Sequence, residues 1–175
     1  MSRTEGINAY CLSTRYFLNR GRLLVVLLKG YIVNTMDFDM ASTPIFLVSS
    51  CLLGFNSRYD GRCKVNEACL EMTKRSHIVP ICPEQLGGLP TPRIAADIVG
   101  GNGADVLKGK AKVVTRAGRD VTLHFILGAQ QVLKIAQMQN VNGVCLKSRS
   151  PSCGVELLGV TSALLKNNGF VLHEF

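Results

Sequence analysis

The sequence predicts a single α/β domain with a mainly parallel sheet flanked by helices, in a Rossmann-like, three-layer arrangement. Short apolar runs bounded by Gly, Pro and Ser alternate with longer segments of helical periodicity, and this alternation is typical of a parallel sheet covered by helices. The chain has 175 residues, of which 47% are hydrophobic, so it is long and apolar enough to bury one self-sufficient core.

The elements alternate from residue 45 onward. The predicted strands are 45–50, 78–81, 93–99, 110–115, 141–147 and 170–173. The predicted helices are 65–74, 121–139 and 160–166. The longest helix repeats apolar residues on one face at positions 121, 125, 129, 132, 133 and 136. The last helix is ended by Asn-Asn-Gly at 167–169.

Two glycine-rich segments are predicted to be loops. The segment 83–92 is rich in Gly and Pro and separates two strands. Gly-Gly-Asn-Gly at 100–103 is interpreted as a loop that does not follow a strand and open a helix as a dinucleotide fingerprint must. The sequence therefore gives little support to nucleotide binding there.

The first 39 residues differ from the rest of the chain. Their apolar stretch, 23–33, is interrupted by Lys29 and is too short to span a bilayer, which needs about 20 apolar residues. It is also a poor secretory signal, because a long mixed-polarity segment precedes it. We expect residues 1–39 to be an N-terminal extension outside the functional domain, which occupies 40–175. A docking or targeting role for the extension is the alternative.

Cysteine usage and charge set the cellular context. Seven cysteines, an odd number, predict free or metal-bound thiols in a reducing cytoplasm, not a disulfide framework. The net charge of +8 is spread along the chain, which indicates either a weak attraction to phosphate or a merely basic surface. With no tryptophan and 6% aromatic residues, a stacking platform for single-stranded nucleic acid is poorly supported.

Three cysteines follow predicted strands, each in a turn rich in Gly, Pro or Ser. They are Cys51, Cys82 and Cys153. Loops at the carboxyl ends of parallel strands line one crevice, so these thiols are predicted to meet as ligands of one metal centre. None belongs to a Cys-x-x-Cys pair, which argues against a zinc ribbon or a thioredoxin-type motif. Three thiolates leave a four-iron cluster one protein ligand short, and the open iron can bind a substrate atom.

The other four cysteines are assigned no role. Cys145 lies in an apolar strand, Cys63 in a loop, Cys69 in an amphipathic helix and Cys11 in the extension. For any cysteine taken alone, a buried structural thiol is the more common outcome. The prediction therefore depends on three thiols occurring together at strand ends.

Two polar residues beside the cysteines are candidate catalytic groups. Glu84 lies two residues after Cys82, where a carboxylate in a partly dry crevice could exchange protons. A helix N-cap or a carboxylate that braces the loop is the alternative. Ser150 precedes Pro151 and could direct a hydroxyl at a ligand, although turn formation alone would also favour Ser-Pro-Ser.

Several further motifs connect these residues to a known family. They are Val-Ser-Ser-Cys-Leu-Leu-Gly (48–54), Arg-Tyr-Asp-Gly (58–61), Cys-Pro-Glu-Gln-Leu-Gly-Gly-Leu-Pro-Thr-Pro-Arg (82–93), Leu-Lys (146–147), Ser-Pro-Ser-Cys-Gly (150–154) and Gly-Val-Thr-Ser-Ala-Leu-Leu (159–165). Together they closely resemble the bacterial thiouracil desulfidase family, formerly catalogued as a domain of unknown function. The resemblance runs from about residue 45 to the C-terminus, and its twelve-residue Cys-Pro-Glu motif is highly specific.

The resemblance implies a cofactor and a set of roles. It implies a 4Fe-4S cluster held by Cys51, Cys82 and Cys153, with the fourth iron open. It also implies that Glu84 and Ser150 act on a water molecule beside the bound sulfur.

This chain departs from the family in two places. Only residues 155–158 separate the Ser-Pro-Ser-Cys-Gly motif from the Gly-Val-Thr segment, where family members carry a Gly-rich stretch of roughly a dozen residues. The shorter connection could open the site or alter substrate choice. The N-terminal extension is the second departure, because the family domain normally begins close to the residue that matches Met40.

The predicted reaction is a hydrolytic, non-redox desulfuration. The open iron binds the sulfur of a thiolated pyrimidine, water attacks the carbon, Glu84 relays protons and Ser150 orients the water. A mononuclear zinc ion held by three thiolates is the rival chemistry. Three functions stay open: desulfuration of a free thiolated base, the same chemistry on a thiolated uridine in tRNA, and a non-catalytic iron-sulfur or zinc binding module. The sequence shows no recognised RNA-binding module, which favours the free base, whereas the +8 charge favours tRNA.

Overall fold

The computed structural model describes residues 15–19, 22–26 and 43–175. The chain divides into two units, 1–42 and 43–175. In the first unit the backbone forms two antiparallel strands, β1 (Arg15–Asn19) and β2 (Arg22–Val26). The rest of the extension, with Cys11 and the predicted domain start at Met40, lies outside the described residues. No helix among the described residues has the length and apolar character needed to cross a membrane.

The second unit contains six strands and five α-helices. The strands are β3 (Ile45–Ser49), β4 (His77–Ile81), β5 (Ala96–Val99), β6 (Lys112–Thr115), β7 (Gly143–Leu146) and β8 (Leu172–Glu174). The helices are α1 (Glu67–Thr73), α2 (Pro83–Leu86), α3 (Gly103–Leu107), α4 (Thr122–Gln139) and α5 (Val160–Asn167). A single 3-10 turn, Ser50–Leu53, follows β3 directly.

Four of the strands form a parallel sheet with the order β4-β3-β7-β8. Strands β5 and β6 pair with each other in an antiparallel ribbon. The predicted fold class is therefore confirmed: the sheet is mainly parallel and is flanked by helices.

Side chains of alternate residues in the central strands enter different cores, as the pleat of a strand requires. Leu47 and Val144 pack with Val132 of α4 and Leu165 of α5 on one face of the sheet. Their neighbours in the strands, Val48 and Cys145, pack on the other face with Cys69 of α1. Both faces are covered, which explains why the strands are continuous apolar runs.

Helix α4 is the longest helix and has the predicted inner face. Phe125, Ala129, Val132 and Ala136 are fully or almost fully buried, and Leu133 is partly buried against them. Residues 125 and 129 pack against the β5-β6 ribbon and α3, whereas 132 and 136 pack against the parallel sheet. One helix therefore joins both parts of the domain.

Two short helices were not predicted: α2 occupies the start of the predicted loop 83–92, and α3 begins at the last residue of the predicted loop 100–103. Helix α2 begins at Pro83, directly after β4, and Cys82 is its N-cap residue. Gly-Gly-Asn-Gly follows β5 and opens α3, because Asn102 and Asp105 form a reciprocal capping box. The interpretation that this segment does not lead from a strand into a helix is thus wrong. It is nevertheless no dinucleotide fingerprint, since β5 belongs to an antiparallel pair and not to a βαβ unit.

Helix α2 is held in place by direct backbone contact with α4. A Cβ atom on Gly128 would lie 1.9 Å from the Pro83 carbonyl oxygen, and one on Gly87 would lie 2.0 Å from the His124 carbonyl oxygen. The His124 Nδ1 atom also lies 2.8 Å from the Gly87 carbonyl oxygen. Only glycine permits this approach, and it fixes the position of the residues at the start of α2.

Candidate metal centre

A cleft of about 380 Å³ opens at the carboxyl ends of β3, β4 and β7. Its lining includes every residue predicted from the sequence to act at the site: Cys51, Cys82, Cys153, Glu84 and Ser150. The topology accounts for this convergence, because the three strands are neighbours in one parallel sheet.

The first thiol, Cys51, lies in the 3-10 turn that follows β3 and is 8% exposed. The turn ends at Gly54, whose φ of +98° suits glycine. The Lys64 backbone N–H donates to the Cys51 carbonyl oxygen at 2.8 Å, and the hydroxyls of Ser50 and Ser57 share a hydrogen bond of 2.7 Å. These contacts fold the following loop back over the cleft.

The second thiol, Cys82, is partly exposed at the N-terminus of α2. Its Sγ atom donates a hydrogen bond to the Ser57 carbonyl oxygen at 3.6 Å. The Nη2 atom of Arg93 lies 4.0 Å from the same sulfur. The thiol is thus placed between a carbonyl acceptor and a guanidinium donor.

The third thiol, Cys153, is 6% exposed and lies in the turn after β7. The Ser150 Oγ atom accepts hydrogen bonds from the backbone N–H groups of Ser152 and Cys153, at 3.2 and 3.1 Å. The Ser49 hydroxyl donates to the Cys153 sulfur at 3.6 Å. Ser150 therefore shapes the Cys153 turn, and its own hydroxyl proton stays available for a further acceptor.

The short connection after Cys153 is a closed turn. The Glu174 carboxylate accepts from the backbone N–H groups of Val155 and Glu156, at 2.8 and 3.3 Å. The Gly159 N–H donates to the Gly154 carbonyl oxygen at 2.9 Å, and a Cβ atom on Gly159 would lie 2.5 Å from the Ser152 carbonyl oxygen. Four residues are thus enough to lead the chain from the thiol turn into α5.

The surroundings of Cys51 shift the pKa of its thiol in two opposing directions. Burial raises the pKa of the Cys51 thiol, and the neighbouring Cys82 sulfur raises it further. The cations Lys147 and Arg58 lower the pKa of Cys51 by a smaller amount. Both cations line the cleft, so positive charge faces the group of sulfurs.

Burial raises the pKa of Cys153 to about 12, while the hydrogen bond from Ser49 lowers it. In the metal-free protein this thiol therefore keeps its proton near neutral pH. A metal centre would have to displace that proton, which couples its binding to proton release.

Glu84 lies on α2 and pairs with a buried arginine. The Arg93 Nε atom donates to the Glu84 Oε2 atom at 2.5 Å, and the two side chains are 6% and 16% exposed. The Arg93 Nη2 atom also donates to the Ser57 carbonyl oxygen at 3.1 Å. Glu84 thus faces the cleft and braces its wall at once, so these two interpretations of the residue are not exclusive. The alternative of a helix N-cap is wrong, because Cys82 is the N-cap residue of α2.

Several polar residues of the cleft were missed from the sequence. Arg93 carried a weak signal, because it ends the Cys-Pro-Glu motif, but its contact with Glu84 depends on how the intervening residues fold. Arg58 begins the Arg-Tyr-Asp-Gly motif but was given no role at the site. Ser49 and Lys147 lie in the 48–54 and 146–147 motifs but were given no role, and Ser57 lies outside every motif.

The remaining described cysteines lie elsewhere. Cys69 and Cys145 are fully buried in the core between α1 and the sheet, and Cys63 is exposed. Burial raises the pKa of Cys145 to about 12. None of the three lines the cleft.

The donor set of the cleft fits a multinuclear centre. Among the described residues, no three His, Cys, Asp or Glu side chains gather tightly enough to hold one metal ion. A single zinc ion would require all three sulfurs within about 2.3 Å of one point. A 4Fe-4S cluster makes a different demand, because each thiolate binds its own iron. Three soft sulfur donors from three separate loops match that demand.

A family model and a solved structure connect the chain to one family, and a curated relative is also similar to it. Residues 46–173 match the family model described as 2-thiouracil desulfurase. The chain is 42% identical over 139 residues to the uncharacterised protein YbbK of Bacillus subtilis strain 168, covering 72% of this chain and 92% of the relative. It is also similar to the solved structure of the [4Fe-4S]-dependent thiouracil desulfidase TudS (DUF523Vcz), with a TM-score of 0.63 and 34% identity, covering 75% of this chain and 91% of that one.

Proposed function

Because this chain belongs to the 2-thiouracil desulfurase family, we propose that it converts a thiolated pyrimidine such as thiouracil to the oxo base with a 4Fe-4S cluster. We propose Cys51, Cys82 and Cys153 as the three protein ligands. The observation that carries this proposal is their convergence in one cleft with Glu84 and Ser150.

The reaction is a hydrolysis and needs no external electrons. The oxygen of water bonds to the thiocarbonyl carbon, the carbon–sulfur bond breaks, and both water protons end on the sulfur, so a thiocarbonyl and water give a carbonyl and hydrogen sulfide. A cluster with three protein ligands supplies one open iron, a Lewis acid with affinity for soft thiocarbonyl sulfur.

Glu84 is the proposed proton relay. Its carboxylate is about one-sixth exposed at the wall of the cleft, and one of its oxygens is fixed by Arg93. A carboxylate held in this way can take a proton from the attacking water and return it to the sulfur. Its position on α2, two residues after Cys82, keeps it beside a proposed ligand.

Ser150 is the proposed orienting group. Two backbone N–H groups fix its oxygen, so the direction of its hydroxyl proton is restricted. The hydroxyl can donate to the attacking water or to the charge that develops on the base. Because the same oxygen shapes the Cys153 turn, the orienting group and the ligand are positioned together.

A thiolated uridine within tRNA is the second candidate substrate. It is favoured by the cations that line the cleft, which include Arg58, Arg116, Lys147 and Arg149. Arg58 is engaged by Asp60, with a contact of 3.1 Å, whereas the other three face the cleft without a carboxylate within salt-bridge distance among the described residues. Such a wall suits a phosphate backbone.

We place the protein in the cytoplasm. This proposal rests on the seven cysteines, an odd number that suits a reducing compartment better than a disulfide framework.

Anaerobic reconstitution with iron and sulfide, followed by an assay on thiouracil, tests the proposal. We expect about four irons and four sulfides per chain, loss of the thiocarbonyl absorbance and release of one sulfide per oxo base. In ¹⁸O-labelled water the product should carry the label. Iron incorporation without sulfide release from either thiouracil or thiolated tRNA would leave a non-catalytic iron-sulfur protein. Tight zinc binding with no iron uptake would contradict the cofactor.

A further inference from the structure

Arg93 is the most highly connected polar side chain of the cleft, although it is only 6% exposed. Its Nε atom donates to the Glu84 carboxylate at 2.5 Å. Its Nη2 atom donates to the Ser57 carbonyl oxygen at 3.1 Å and lies 4.0 Å from the Cys82 sulfur. One planar group therefore contacts the proposed proton relay and a proposed cluster ligand.

The other edge of the guanidinium is held by the loop that leads into β5. The Nη1 atom donates to the Thr91 hydroxyl at 3.0 Å and to the Pro90 carbonyl oxygen at 3.2 Å. The Arg93 backbone N–H donates to the Tyr59 carbonyl oxygen at 2.8 Å. The backbone and the Nη1 atom of Arg93 are thus held in place, and its Nε and Nη2 donors point at Glu84, Ser57 and Cys82.

Binding of a metal centre would change the role of the contact between the Arg93 Nη2 atom and the Cys82 sulfur. The Cys82 thiol donates its proton to the Ser57 carbonyl oxygen in the structure. A thiolate has no proton to donate and would face that carbonyl as a second acceptor. The Arg93 Nη2 atom already bonds the carbonyl and is the N–H donor within 4.0 Å of the sulfur. It can therefore serve both acceptors at once.

We propose that Arg93 is a positioning residue that joins Glu84 and the Cys82 thiolate in one hydrogen-bonded unit. The distance between the Glu84 carboxylate and the Cys82 sulfur is then set by one rigid guanidinium group and not by two independent side chains. The inference rests on the proposed function, since it assumes that Glu84 is the relay and Cys82 a ligand. It makes Arg93 act through these two residues, without contact with the substrate.

Two effects follow from this geometry. Loss of the Arg93 guanidinium should lower kcat with little change in KM, because Glu84 is misplaced while the cleft that binds substrate is preserved. Loss of an N–H donor beside a cluster sulfur should shift the reduction potential of the cluster to a more negative value, because hydrogen bonds to sulfur stabilise the reduced state. The second effect needs no substrate.

The experiment compares Arg93→Gln, Arg93→Lys and the surface control Arg75→Gln, each reconstituted to the same iron content. We expect Arg75→Gln to match the wild type. Both changes at Arg93 should lower kcat about tenfold to a hundredfold, the range found for residues that support metal ligands, with KM within about twofold. Lysine at position 93 should not restore kcat, because a single ammonium group cannot hydrogen-bond Glu84, Ser57 and Cys82 at the same time. The reduction potential should fall in Arg93→Gln and less in Arg93→Lys.

A double-mutant cycle separates positioning from independent catalysis. In the presence of Glu84→Gln, the further change Arg93→Gln should cost almost nothing in kcat, while the potential should still fall. Multiplicative losses in kcat, an unchanged potential, or full activity in Arg93→Gln would each overturn the proposal. Loss of the cluster from Arg93→Lys as well as Arg93→Gln would also overturn it, because Arg93 would then be needed to hold the cofactor. If the wild type takes up iron but releases no sulfide, the proposed function fails while the potentials still test the contact between Arg93 and Cys82.

Discussion

The cysteines of this domain fall into two groups that burial alone does not distinguish. Cys51 and Cys153 lie in the cleft, Cys69 and Cys145 lie between α1 and the sheet, and all four are less than a tenth exposed. Burial raises the pKa of all four, and it brings Cys153 and Cys145 to the same value of about 12. Neither burial nor the direction of the pKa shift therefore separates the proposed metal ligands from the other buried cysteines.

The two groups differ in their surroundings. Cys51 and Cys153 also contact the apolar cores, but Cys69 and Cys145 face each other inside the core and do not line the cleft. The cleft thiols lie in turns after strand ends, and the Ser49 hydroxyl donates to the Cys153 sulfur at 3.6 Å.

In the cleft the Arg93 Nη2 atom lies 4.0 Å from the Cys82 sulfur, and the cations Lys147 and Arg58 lower the pKa of Cys51. A deprotonated sulfur therefore has a donor and cations beside it there, which is why we propose the ligands in the cleft.

The largest expected effect is the loss of the cluster. Cys51→Ala, Cys82→Ala and Cys153→Ala should each fall to background iron content and lose desulfuration, because a two-thiolate site cannot hold the cluster. Cys145→Ala is the matched buried control and Cys63→Ala the exposed one, and both should keep full iron content. Iron and sulfide analysis after anaerobic reconstitution checks this. Loss of iron from Cys145→Ala would contradict the distinction between cleft thiols and core thiols.

The next largest effect concerns the proton relay. Glu84→Gln should keep the cluster and lower kcat by about a hundredfold or more, because an amide cannot carry the proton. Steady-state sulfide release, normalised to iron content, is the measurement. Gln85→Glu, one residue further along α2, is a control that adds a carboxylate elsewhere without restoring activity in the Glu84→Gln background. Unchanged kcat in Glu84→Gln would show that Glu84 only braces the wall.

Ser150→Ala should combine two smaller effects. Turnover should fall because the orienting hydroxyl is lost, and the metal-free protein should be less stable by about 1–3 kcal/mol because two backbone N–H groups lose their acceptor. Chemical denaturation of the metal-free protein measures the second effect. A large fall in turnover at unchanged stability would mean that the turn is held without Ser150.

The buried thiol of Cys145 predicts that the stability of the protein falls at high pH, whether or not a cluster is bound. The folded-state pKa of Cys145, about 12, lies above the ordinary value of 9.0, so its stabilising contribution is complete below pH 9 and is lost as pH rises toward 12. At pH 10 the loss is about 1.4 kcal/mol, one pKa unit of differential ionisation. Cys145→Ala should therefore lose less stability than the wild type between pH 7 and pH 10 in urea titrations. Equal losses would show that Cys145 does not titrate in this window.

The smallest effect is expected from removal of residues 1–39. A chain beginning at Met40 should fold, take up the same iron and turn over at a similar rate, because every proposed site residue follows Ile45. Iron content and sulfide release check this. A docking role of the extension would leave both values intact and abolish binding to a partner or to tRNA. Failure to fold would contradict the proposed boundary.

Most of the parallel sheet could be predicted from the sequence. Apolar runs such as 45–50 and 141–147 differ from the observed strands by one to three residues, and the order of elements fixes which loops share an edge. That sufficed to predict the convergence of three thiols. Helices α2 and α3 were missed because four and five residues are too few to show a helical period.

The ion pair between Glu84 and Arg93 could not be predicted. The two residues are nine positions apart, and their contact depends on the path of 85–92 and on the bond from the Arg93 N–H to the Tyr59 carbonyl oxygen. Such a contact follows from the closing of two loops on each other. No local pattern in either loop encodes it.

The close approach of α2 and α4 has a consequence for how sequence variation in this protein is interpreted. Gly128 lies in the middle of a helix and does not line the cleft, so a screen that ranks variants by proximity to the cofactor would score alanine there as harmless. An added methyl group would nevertheless meet the Pro83 carbonyl oxygen and push α2 away. Cys82 and Glu84 would be displaced together, with all of their chemistry intact. When a natural variant or a library member is inactive, a substitution at Gly128 should therefore be considered as a cause.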